Sequence, residues 1–130
     1  MYNEQIMERF AIPKNSGRIV NSSGRGDAIG EVSNHGDSVR IDINVDDKGV
    51  ITEAKFKAMA CVMAIATCDV VCDLIVGQSV HKAAMVTPFD ISGVLGPIEE
   101  HKLPCVRVAI SGVVNAVKDY EKKVAKEGQR

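Results

Sequence analysis

The sequence predicts an α+β domain, a small antiparallel β-sheet with helices packed on one face. Three patterns point there. Val39, Ile41, Ile43 and Val45 alternate with Arg40, Asp42 and Asn44, the period of a strand with one wet face. Val106, Ile110, Val113, Val117, Tyr120 and Val124 recur at helical spacing, so the chain closes with a long amphipathic helix. Strands precede most of the helices, the order of a fold that lays helices across a sheet.

Each element has its own signals. Asn3 can cap a first helix with Ile6, Met7 and Phe10 on its apolar side, and Pro13 stops it. Residues 13–30, rich in Gly, Ser and Asn, are expected to be loop or irregular extended chain. The segment from Glu31 to Met59 reads as antiparallel sheet, with Asp46-Asp47-Lys48-Gly49 as the turn of a hairpin. Its second strand alternates Val50, Thr52, Ala54, Phe56 and Ala58 against Glu53, Lys55 and Lys57. A helical apolar pattern then runs from Cys61 to Gly77, a helix stop. Ser79 caps a short helix over 80–86, Thr87-Pro88 starts another to about residue 95, and residues 96–104 form a polar connection. The last helix is expected from Val106, slightly weakened by Gly112.

With 130 residues, no internal repeat and no linker, one domain over 1–130 is expected. The net charge of −1 gives no overall imbalance favouring nucleic acid or an anionic membrane. Lys118, Lys122, Lys123 and Lys126 interleave with Asp119, Glu121 and Glu127, as on a solvated helix face. The opening NEQIMER is not a signal peptide, and no apolar run is long enough for a bilayer, so a cytoplasmic protein is expected. There, cysteines are more often reduced, buried, metal-bound or reactive than paired. The four cysteines form no C-x-x-C motif.

Cys61 stands where a strand becomes a helix, and a helix N-terminus favours the thiolate needed for metal binding or nucleophilic work. The alternative is a small buried hydrophobe. Cys68 and Cys72, in mid-helix among Ala66, Val70, Val71 and Ile75, read as packing. The adjacent Asp69 and Asp73 turn off that face. In Asn34-His35-Gly36-Asp37, His35 and Asp37 can reach one ligand if Gly36 bends the loop, although a hydrogen-bonded turn is the plainer reading. Cys105, with His101 four residues upstream, also begins a helix and is a site or a packed thiol. His81 reads as exposed. Together His35, Asp37, Cys61 and Cys105 would suit tetrahedral zinc or a small iron site.

At these residues the chain resembles the IscU/NifU N-terminal family of iron–sulfur cluster assembly scaffolds. Tyr2 with Pro13-Lys14-Asn15-Ser16-Gly17 resembles the family's Y…NPRNxG opening, and Gly36-Asp37 its C-G-D loop. Residues 56–61 (FKAMAC) resemble F-K-x-x-G-C, Ala64-Ile65-Ala66 the A-I-A that follows, and Gly77-Gln78-Ser79-Val80 a G-K-S/T step. His35 stands where the family's first cysteine would be. Residues 103–107 (LPCVR) can be matched to the L-P-P-V-K chaperone motif, which leaves no third cysteine. Residues 102–105 (KLPC) can instead be matched to K-M-H-C of NifU-type members. That match keeps Cys105, turns the preceding histidine into Pro104, and preserves the spacing to Asp119-Tyr120, so it is preferred.

The resemblance implies a scaffold, not an enzyme. It would assemble a transient [2Fe–2S] cluster from iron and sulfide on His35, Asp37, Cys61 and Cys105, with Cys105 as the sulfur acceptor. It implies a cysteine desulfurase and apo iron–sulfur proteins as partners, and is compatible with a homo-oligomer. Recognition by a heat-shock-type chaperone is not favoured, since LPCVR copies LPPVK poorly. The competing reading is a zinc-binding or regulatory relative that builds no cluster. A thiol hydrolase using Cys105 and His101 is a third, without any accompanying oxyanion motif.

Overall fold

A computed structural model describes residues 2–30 and 36–128. Helix α1 (Glu4–Ala11) is capped by Asn3, whose side chain accepts from the Ile6 N–H at 2.9 Å and donates to the Leu95 carbonyl at 2.7 Å. Strands β1 (Gly24–Ile29), β2 (Ser38–Val45) and β3 (Ile51–Met59) form an antiparallel sheet in the order β1-β2-β3. Helices α2 (Val62–Ile75), α3 (Val80–Ala83), α4 (Pro88–Leu95) and α5 (Leu103–Gly128) follow, with a 3₁₀ turn at Glu100–Lys102. The α+β class is as expected.

The β2–β3 hairpin pairs Ile41 with Phe56 and Ile43 with Ala54, and all four face the core. Gly49 closes the turn at φ +78°, a conformation that favours glycine. α5 lies across β1 and β2, while α2 packs against β3, α5 and α1. The buried side chains form one hydrophobic cluster that includes Cys68 and Cys72. The expected caps are all in place: Ser79 accepts from Lys82 N–H, and Thr87 forms a capping box with Asp90 ahead of Pro88.

Three expectations are corrected. Residues 24–29, read as irregular because of their glycines, form β1; the same glycines let α5 approach the strand closely. The last helix begins at Leu103 rather than Val106, because Pro104 occupies its first turn, where a missing N–H costs no helical bond.

Asp42, placed by alternation on a wet face, is buried at 1% exposure, and Asp69, which helical spacing turns off the face of Cys68 and Cys72, is buried too, at 0%. Residues 15–19 cover both. Asn15 and Gly17 bond to Phe56 along the free edge of β3, and Asp42 accepts from Ile19 N–H at 3.0 Å and Arg25 Nε at 2.7 Å. Asp69 accepts from Asn15 N–H and from Arg9 Nη1, each at 2.8 Å, joining α1 and the edge segment to α2. Among the described residues no helix is long and apolar enough to cross a membrane.

Candidate metal centre

Three side chains meet at one end of the sheet. Asp37 lies between Gly36, at φ +83°, and the start of β2, and its carbonyl accepts from Gly30 N–H at 2.7 Å. Its side chain is buried. Oδ1 accepts from the Cys61 N–H at 3.0 Å. Oδ2 is buried with no hydrogen-bond partner among the described residues.

Cys61 ends the approach from β3 and is the N-cap of α2, its Sγ accepting from Ala64 N–H at 3.4 Å. Sequence therefore placed it at the right junction, with the thiol facing free N–H groups. Cys105 sits in the first turn of α5. One ligand atom from each of Asp37, Cys61 and Cys105 lies within 4.8 Å of the other two.

Burial first, and then the adjacent Cys61 and Asp37, together push the Cys105 thiol up to about 12. Buried groups of this polarity are ordinarily partnered, so the orphan carboxylate oxygen is itself a reason to look for a missing charge. One carboxylate and two thiols suit a borderline or soft cation such as iron or zinc.

His35 lies outside the described residues. His101 does not join the group: its Nδ1 lies 3.6 Å from Glu99 Oε2, with both side chains exposed. His81 is exposed, as expected. Burial drives the Cys68 and Cys72 thiols well above their ordinary range, which fits packing and leaves them poor ligands. The bond from Cys61 N–H to Asp37 was not foreseen, and no sequence signal marks it, because it joins residues 24 positions apart.

Fold and geometry together define a class: a small sheet-and-helix domain that gathers a carboxylate and two thiols at the starts of three elements. The chain belongs to the NifU-like N terminal domain family, whose model matches residues 1–127. It is 30% identical over 128 residues to iron–sulfur cluster assembly scaffold protein IscU 1 of Archaeoglobus fulgidus, covering 97% of this chain and 80% of the relative. It is 28% identical over 123 residues to the IscU scaffold protein of Escherichia coli K12, covering 94% and 95%. In fold it is similar to the N-terminal NifU-like protein of Brucella abortus, with a TM-score of 0.74 at 16% identity over 93% of this chain and 94% of that one. A putative SUF-system scaffold from Fervidobacterium islandicum gives a TM-score of 0.59 at 23% identity, over the same shares. The Archaeoglobus and Escherichia relatives are named as scaffolds, and the family's role is not that of an enzyme.

Proposed function

We propose that this protein is a scaffold on which iron and sulfide are assembled into a [2Fe–2S] cluster and then passed to apo iron–sulfur proteins. The observation that carries the reading is the convergence of Asp37, Cys61 and Cys105, with a buried Asp37 oxygen that has no hydrogen-bond partner among the described residues. Thiolates are the natural ligands of such a cluster. Asp37 offers a harder, more exchangeable donor, which suits cargo that must leave. Thiols bind a metal as thiolates, so loading releases protons.

His35, two residues before Asp37, is the proposed fourth ligand. An imidazole in place of a thiolate changes the cluster's charge and raises its potential. Cys105 is the proposed acceptor of sulfur from a cysteine desulfurase.

The test is anaerobic reconstitution with ferrous iron and sulfide, for wild type and for Cys61→Ala, Cys105→Ala and His35→Ala. The expected result is a visible-absorbing species carrying acid-labile sulfide in the wild type, abolished in both cysteine variants and spectrally shifted in His35→Ala. A colourless wild type holding one tight zinc would overturn the scaffold reading in favour of a zinc protein.

A further inference from the structure

Cys61 and Cys105 are the half-buried cysteines of the chain, and their Sγ atoms lie within 4.8 Å of each other. Cys68 and Cys72 are sealed in the core at 0% exposure. The accessible pair is therefore separated from the inaccessible pair by the fold itself. We propose that Cys61 and Cys105 form a reversible intramolecular disulfide on meeting a small-molecule disulfide, and that this bond closes the metal centre.

A disulfide requires sulfurs about 2 Å apart, so the two side chains must swing together by no more than roughly 3 Å. Cys61 has the freedom to do so. It precedes the first turn of α2 in extended backbone (φ −68°, ψ 167°), and its sulfur is held by one long contact to Ala64 N–H. Cys105 is in the opening turn of α5, the part of a helix that adjusts most easily.

The step balances in two exchanges. One cysteine thiolate attacks a sulfur of the small disulfide, expelling one small thiolate and leaving a mixed disulfide on the protein. The second cysteine thiolate attacks the protein sulfur of that mixed disulfide. The Cys61–Cys105 bond forms and the second small thiolate leaves. Two electrons pass from the cysteine pair to the oxidant. The second exchange is intramolecular and so outruns attack by another oxidant molecule. Both thiol donors are then consumed and only Asp37 and His35 remain; this consequence rests on the ligand set proposed above.

The experiment treats reduced, metal-free protein with excess oxidised glutathione under nitrogen. Free thiols are counted, peptides are mapped by mass spectrometry, and zinc affinity is measured before and after. The expected result is loss of two thiols of the four, a Cys61–Cys105 linkage within one chain, and zinc binding at least tenfold weaker, all restored by dithiothreitol. Cys61→Ser should instead carry one glutathione on Cys105. Stable glutathione adducts on both cysteines, links between chains, or involvement of Cys68 or Cys72 would overturn the disulfide. A linkage that leaves zinc affinity unchanged would overturn the closure and the ligand set while leaving the disulfide standing. Reduced protein that cross-links but assembles no cluster would remove the scaffold reading alone.

Discussion

Gly26 in β1 lies so close beneath Gly112 in α5 that a β-carbon on Gly26 would stand 2.1 Å from the Gly112 carbonyl oxygen. The same added atom would meet Ala116 N at 2.2 Å. Both obstacles are backbone, so no side-chain rotation relieves them. Gly26→Ala should destabilise the protein by about 3 kcal/mol, lowering the melting temperature by roughly 10 °C. Thermal unfolding followed by circular dichroism measures it; an unchanged melting temperature would show that α5 can lift off β1 freely.

Asp69 anchors the N-terminal part of the chain. It is fully buried and accepts from Arg9 and from the backbone of Asn15, while its own carbonyl accepts from Asn15 Nδ2 at 2.9 Å. Removing one member of such a set strands the others, so Asp69→Ala should cost about 3 kcal/mol in urea unfolding. Amide exchange at Phe56, whose N–H donates to the Asn15 carbonyl, should quicken in the same variant. Asp69→Ala unfolding at wild-type urea concentrations would mean the network is slack.

Acid should weaken that anchor. Burial tends to raise the Asp73 carboxyl, but hydrogen bonds from Asn15, Arg9 and Lys14 outweigh it and hold the group below its ordinary 3.8. A depressed carboxyl contributes stability that is whole above the unfolded value and is lost as pH falls through the folded one. Stability should therefore be flat through neutrality and decline below about pH 4. Asp73→Asn should show a shallower decline over that window, and parallel curves would remove Asp73 from the account.

Asp37 should trade stability for binding. Its Oδ2 is a buried carboxylate oxygen without a partner among the described residues, while Oδ1 holds the Cys61 N–H. Asp37→Asn keeps the second bond and removes the charge. The metal-free variant should melt a few degrees higher, by about 1 kcal/mol, and bind zinc or ferrous iron at least tenfold more weakly. Lower melting with unaltered metal affinity would contradict both halves.

How much of this was legible follows from how local each signal is. Asn3, Ser79 and Thr87 cap their helices through atoms within three residues, and the alternation of β2 and β3 is written along each strand. Cys68 and Cys72 were correctly assigned to packing because helical spacing alone puts them among apolar neighbours. β1 was missed because GRGDAI has neither alternation nor β-branched density; it is a strand through its partner β2 and its clearance under α5. Asp42 was misplaced, and the burial of Asp69 was not foreseen, because the segment that covers them lies 23 and 54 residues earlier. For the metal centre, Cys61, Cys105 and Asp37 could be nominated from element junctions and from family resemblance. Their convergence is a tertiary fact that no spacing encodes. His35 belongs to the same nomination and lies outside the described residues.

No single segment owns the candidate metal centre: Asp37 arrives with β2, Cys61 with α2 and Cys105 with α5. A cation bound by all three therefore couples its affinity to the folding equilibrium of the whole domain. Occupancy raises global stability by mass action. By reciprocity, any partner that prefers a loosened domain is an unloading factor, even if it never touches a ligand.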